Sequence, residues 1–259
     1  MRPHHDFIIS PITQILQDTV TACGSCGSGI ETFPLSEYVM QSTFLKMTGF
    51  QEQKLKCILW ELATDDYEFR YKLLSNSKST SKSYGECSRY DDKKNILNDL
   101  WEQIHKFKPS IDLNVIDKAA LWNTLHTDME DIFAHSNILE WSQSDFEGYR
   151  EFFLGITDKQ FITRQKKQIA LLTNSDNLTT AEKTNNLYDA YDKLYSHRNR
   201  CAHNTLSQQP HLPTLQMLSS PSYKYENYFI RFYVIALIDR IFVRFWREYI
   251  AAVESSGWH

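Results

Sequence analysis

A chain of 259 residues, 42% hydrophobic and 23% charged, is long enough to bury a sizeable core and too apolar to stay disordered. Its formal net charge of −4 argues against a protein that coats nucleic acid nonspecifically, though it leaves room for an enzyme with a local basic patch. With 8 Gly and 7 Pro the turn-dense texture of an all-β protein is missing, and no uninterrupted run of about eighteen apolar residues offers a membrane span.

The elements read as follows in chain order. Ile8, Ile12, Ile15, Leu16 and Val20 fall at helical spacing despite Pro11, and the Gly/Ser-rich loop from Cys23 to Gly29 ends that helix. Pro34 to Leu74 is helical again, with Gly49 a position for a break or kink. Ser75 to Asp92 is polar and Ser/Lys-rich, the best candidate for a flexible loop. Ile96, Leu97, Leu100, Trp101, Ile104 and Phe107 mark a helix stopped near Pro109. Val115 to Ile138 and Asp145 to Leu172 read as further interrupted helices. Thr179 and Glu182 have capping-box spacing and open a helix into the region of Tyr195. Pro210, Pro213 and Pro221 make 204–224 a loop, and Tyr225 to Val253 forms a long, aromatic-rich helix. The expected fold is all-α: one helical bundle over residues 1–259.

The stretch Tyr195-Ser196-His197-Arg198-Asn199-Arg200-Cys201-Ala202-His203-Asn204 carries the chemistry. It places a permanent cation, an amide and a titratable imidazole within six residues, the groups needed to hold a phosphodiester and move protons near neutral pH. Leu187, Tyr191, Leu194 and Arg198 share one helical stripe, so Arg198 leaves the apolar face and needs a partner or a ligand. His203 lies five residues on, about 140° around an ideal helix. Either the helix ends or bends before His203, or a second copy of the chain completes the site.

The run Arg198-Asn199-x-x-Ala202-His203 resembles the Arg-x4–6-His signature of the HEPN superfamily, helical domains that include many metal-independent ribonucleases. The likeness covers residues 180–253, so residues 1–175 would add N-terminal helices to a minimal HEPN-like bundle. The resemblance implies a homodimeric endoribonuclease with two motifs lining one cleft. His203 would act on the attacking 2′-hydroxyl or the leaving 5′-oxygen, Arg198 would hold the scissile phosphate, and Asn199 would orient either. The product would be a 2′,3′-cyclic phosphate, formed with neither metal nor cofactor. Such proteins commonly serve as toxins or prokaryotic defence effectors restrained by an antitoxin or regulatory partner. The alternatives are a non-catalytic module of the same superfamily that binds a nucleotide or a protein, and a scaffold using Tyr228, Phe232 or Phe242 as an interface.

Arg200, and the stripe Arg240, Arg244 and Arg247, could grip RNA backbone; the competing reading of the stripe is a solvated face with Glu248 as a partner. Lys159, Arg164, Lys166 and Lys167 form a second basic cluster with the same two readings. Cys23-x-x-Cys26 lacks a second ligand pair at zinc spacing, and five cysteines at irregular spacing with no leader peptide fit a reduced, cytoplasmic setting. His126 with Glu130, and Asp131 with His135, lack the Glu-x-x-His spacing of di-iron bundles. Glu61, Asp65, Asp66 and Glu68 read as a solvated acidic face, with a catalytic carboxylate as the lesser alternative. No dinucleotide, P-loop or nucleophile-elbow motif is present.

Overall fold

The computed structural model describes residues 2–76, 87–155, 162–165, 168–171, 187–203, 215–221 and 223–257. Its helices are α1 (His5–Ile9), α2 (Thr13–Cys23), α3 (Phe33–Asp65), α4 (Tyr67–Asn76), α5 (Tyr90–Phe107), α6 (Lys118–Phe133), α7 (Asn137–Trp141), α8 (Gln143–Gly155), α9 (Leu187–His203), α10 (Leu215–Leu218) and α11 (Tyr228–Ser255). The class is all-α. A single two-stranded antiparallel hairpin, β1 (Ile162–Gln165) and β2 (Gln168–Leu171), interrupts the helices among the described residues.

The organising element is α11. Every residue from Phe232 to Asp239 is buried, and Phe242, Phe245, Trp246 and Tyr249 continue the buried surface toward its end. A helix apolar all round must be enclosed by others. Here α3, α5, α6, α8, α9 and α1 pack around it. Aromatic rings supply much of the filling: Phe133 meets Phe229 edge-on at 4.9 Å, and Trp122 meets Tyr233 edge-on at 5.4 Å.

One ion pair lies inside this core. Lys54 Nζ on α3 donates to both Asp239 oxygens on α11, at 2.9 and 3.0 Å, and to the Ser10 carbonyl. The Asp239 carboxylate also accepts from the Ile12 amide, so the pair ties α1, α2, α3 and α11 at one point. Burial pushes the Lys54 ammonium down and the Asp239 carboxyl up, and each opposes the other's shift.

Several boundaries differ from the sequence expectation, each for a local reason. Ser10 and Pro11 split the first helix into α1 and α2, because Pro disfavours helical backbone in the residue before it. Gly49 produces no break: α3 runs 33 residues through it, with Pro34 in the first turn, where its missing N–H costs nothing. The region read as a flexible loop over 75–92 is helical at both margins, since α4 reaches Asn76 and α5 starts at Tyr90. The Asp92 carboxylate accepts from the Arg89 amide and fixes that start. The expected helix over 115–138 breaks after Phe133, where His135 adopts φ 59° and the Ser136 hydroxyl caps α7. The stretch expected to be helical to Leu172 ends at Gly155, and the hairpin follows. Ile162, Thr163 and Ile169 suit strands, and tertiary context overrides a helical reading of a short apolar run. Within the expected loop over 204–224 lies the single turn α10. The Thr179–Glu182 capping box falls outside the described residues.

Of the acidic run, Glu68 is solvated, whereas the other three are engaged in the fold. Glu61 is buried and accepts from the His4 amide at 2.9 Å. Asp65 takes Arg2 and the Tyr249 hydroxyl. Asp66 accepts from the Glu68 and Phe69 amides, which starts α4. No helix among the described residues is long and apolar enough to cross a membrane.

Candidate active site

The motif lies on α9, which packs on α3, α5 and α11. Leu187, Tyr191 and Leu194 are buried, as their stripe requires. Tyr191 anchors the helix twice: its hydroxyl donates to the Ser88 carbonyl at 2.6 Å, and its ring sits 5.1 Å from Lys93 Nζ. Lys93 in turn donates to the Cys87 carbonyl at 2.8 Å, holding a residue whose φ of 56° falls in the left-handed region. The segment Cys87–Arg89 is thereby fixed against α9.

Arg198 leaves the apolar stripe half-buried, and its partner is Glu52 on α3, 3.3 Å away. Its other terminal nitrogen reaches Asn199 Oδ1 at 3.4 Å. Behind this pair stands Lys93, which is 1% exposed. Burial pulls its pKa down to about 8; Glu52, Cys87 and Asp92 oppose that fall and Arg198 adds to it. Tyr195, one turn before Asn199, is partly exposed. Hydrogen bonding to Asn199 holds its phenol below the ordinary tyrosine value; burial opposes this, and Ser88 and Arg89 assist.

No motif in the sequence points to Glu52 or Lys93, and Tyr195 opens the motif stretch without a role of its own. Glu52 sits mid-helix among polar neighbours, and Lys93 reads as surface because its burial depends on Tyr191, about a hundred residues on, and on the backbone turn at Cys87. The four-residue step from Tyr195 to Asn199 is the one signal that was available.

The helix continues unbroken through His203, whose side chain lies outside the described residues. In an uninterrupted helix Arg198 and His203 stay about 140° apart. Of the geometries open in the sequence, an end of the helix before His203 is absent, His203 being its last residue. Arg200 is partly exposed near the same end of α9.

The stripe on α11 is not brought to the motif within one chain. Tyr228, near the start of α11, touches α9 through His197, and Arg240 to Arg247 lie about 18 to 28 Å further along the axis at 1.5 Å per residue. Arg240 pairs with Asp128. Arg244 takes Glu248 at 2.6 Å and the Val115 carbonyl at 3.1 Å. Arg247 is exposed. The second basic cluster, Lys159, Arg164, Lys166 and Lys167, falls outside the described residues apart from the backbone of Arg164 in β1.

The opposite face of α9 holds a second hydrogen-bonded group. His197 Nε2 lies 3.2 Å from the Tyr228 hydroxyl and 3.4 Å from Cys201 Sγ, and Tyr228 donates to Glu37 at 3.1 Å. Burial pushes the Cys201 thiol up, away from reactive thiolate.

The other polar pairs serve packing. His126 stacks on Phe153 at 3.7 Å and meets the Tyr149 hydroxyl at 2.7 Å, while Arg150 takes both Glu130 oxygens at 3.1 and 2.8 Å. Asn137 donates to the Cys23 and Cys26 carbonyls, pinning that loop, and burial raises the Cys23 thiol. Among the described residues no three His, Cys, Asp or Glu side chains cluster as a metal would need. Comparison with family models, with curated proteins and with solved structures finds no match to this chain.

Proposed function

We propose that this chain is a metal-independent endoribonuclease of the HEPN type, working as a homodimer. The observation that carries the reading is the unbroken run of α9 through Arg198, Asn199 and His203. It sets Arg198 and Asn199 side by side at a partly open surface and turns His203 about 140° away. A second copy supplies the missing partner: one protomer's Arg198 then faces the other's His203. His203 accepts the 2′-hydroxyl proton, Arg198 holds the phosphate and stabilises the charge that develops on it, and Asn199 steers the guanidinium. The need for a 2′-hydroxyl selects RNA over DNA. Arg200 is the basic residue best placed to extend phosphate contact. Arg240, Arg244 and Arg247 could serve only an RNA long enough to reach the far end of α11. The cellular role that fits is a cytoplasmic toxin or anti-phage effector held by an antitoxin-like protein; unchanged growth and intact bulk RNA on overexpression would count against it.

The Arg198–Glu52 contact favours a second reading, a non-catalytic module that binds a nucleotide or a protein. In the enzyme, phosphate must compete with Glu52 for the guanidinium. In the module, Glu52 simply satisfies it.

Cleavage of a mixed RNA pool by wild type and His203→Ala, in EDTA with product ends analysed, separates the two. Cleavage by wild type alone, leaving 2′,3′-cyclic phosphate ends, supports the nuclease. Equal cleavage by both proteins removes His203 from the chemistry, and no cleavage by either leaves the module.

A further inference from the structure

Transphosphorylation of RNA moves two protons. One leaves the attacking 2′-hydroxyl, and another must reach the departing 5′-oxygen. Each composite site pairs one protomer's Arg198 with the other's His203 and so offers one titratable side chain for both, because a guanidinium stays protonated throughout the accessible range. We propose that Tyr195 is the second proton-transfer residue, its phenol protonating the 5′-oxygen as the P–O5′ bond breaks. The inference rests on the ribonuclease reading and assigns it a general acid.

Position makes the first argument. Tyr195 and Asn199 stand at i and i+4 along α9, and Arg198 stands one turn from Tyr195, while the His203 that completes the site comes from the second copy. Asn199 joins the group, because its amide oxygen meets Arg198 at 3.4 Å and its position lies one turn beyond Tyr195. A phosphate seated on Arg198 therefore has a phenol one helical turn away. Tyr195 is partly open to solvent, whereas its neighbour Tyr191 is buried with its hydroxyl committed to the Ser88 carbonyl.

Elimination makes the second argument. Lys93 is enclosed behind the Arg198–Glu52 pair and has no route to a substrate. His197 and Cys201 face Tyr228 on the other side of α9. Glu52 is the counter-ion of Arg198 and would meet the phosphate as a like charge.

The step balances without an oxidant or a metal. An electron pair of the 2′-oxygen bonds to phosphorus while the 2′-proton passes to His203. The P–O5′ pair leaves with the 5′-oxygen, which takes the Tyr195 proton and departs as a 5′-hydroxyl. The phenolate left behind is stabilised by Asn199 and by Arg89, the same contacts that already hold the phenol below its ordinary value, and water reprotonates it between turnovers.

The test uses the full-length protein and two oligonucleotides that differ at one linkage, an ordinary P–O5′ bond or a bridging P–S5′ bond. A thiolate leaves without protonation, so the second substrate needs no general acid. Tyr195→Phe should cleave the oxygen substrate about 10²- to 10⁴-fold more slowly than wild type, the usual worth of a general acid, and should recover most of that loss on the sulfur substrate. Equal slowing on both substrates would make Tyr195 a structural residue, and no slowing on the oxygen substrate would remove it from the reaction. Either result overturns the inference while the nuclease reading stands. A wild type that cleaves neither linkage overturns both.

Discussion

The buried Lys54–Asp239 pair allows a prediction in which charge, not packing, sets both the magnitude and its pH dependence. Lys54 and Asp239 are 2% and 3% exposed, so neither charge can recruit water if its partner is removed. Asp239→Leu leaves an ammonium whose remaining anchor is the Ser10 carbonyl. Lys54→Met leaves a carboxylate held by one long contact to the Ile12 amide. Breaking a buried pair in this way costs about 3–5 kcal/mol. The two losses carry opposite signatures. With Asp239 gone, the charge that opposes the burial depressing Lys54 is lost, so its folded pKa falls further below the unfolded value. The destabilisation is then full below the folded pKa and fades as pH rises toward the unfolded one. With Lys54 gone, the Asp239 carboxyl rises further above its unfolded value, and that destabilisation fades as pH falls. The double variant Lys54→Met/Asp239→Leu removes both charges and should recover to within about 1–2 kcal/mol of wild type. Urea unfolding followed by tryptophan fluorescence at several pH values measures all four proteins. Single-variant losses below about 1 kcal/mol, or losses flat with pH, would refute the reasoning.

Three further outcomes follow from other contacts. Lys93→Met should remove one contribution to the pH dependence of wild type: the unfolded chain holds the Lys93 proton up to about 10.4 and the folded one to about 8, so this group's share of stability rises with pH across that window by on the order of 3 kcal/mol, read as the difference between the two proteins in urea unfolding. Gly148→Ala should lower the melting temperature despite alanine's helix preference, because its Cβ would sit 2.7 Å from the Lys224 carbonyl, a backbone atom that cannot swing aside; a rise in melting temperature would contradict this. Asn227→Ala removes the cap on the Ile230 amide and two bonds to the Asp145 and Lys224 carbonyls, and calorimetry should find a loss of about 2–4 kcal/mol.

Periodicity made the helices legible and left their joints obscure. The apolar stripe of α5 and the continuous hydrophobicity of α11 can be read directly, because 3.6-residue spacing and all-round burial leave compositional marks. The joints depend on single hydroxyls and carboxylates. Ser136 and Asp66 each begin a helix by capping it, and neither differs in composition from the polar residues around it. The hairpin 162–171 is missed because a four-residue strand is too short for its alternation to outvote a neighbouring helical stripe. At the candidate site, the place of Arg198 at the edge of an apolar stripe predicts that it needs a partner. That the partner is Glu52, with Lys93 behind it, is long-range information carried only by the packing of α3 and α5 against α9.

The central position of α11 also sets the order of events at the ribosome. The helix that the others enclose is translated after all of them, so α1, α3, α5, α6 and α9 can meet one another but their central faces stay uncovered until residues 228–255 emerge. At about 5–20 residues per second, α1 waits roughly 10 to 45 s for its contact with α11. Throughout that interval the nascent chain presents unfilled apolar grooves to chaperones. A message cut short before α11 would yield a set of helices with no centre, and any chemistry on α9 would begin only once the chain is whole.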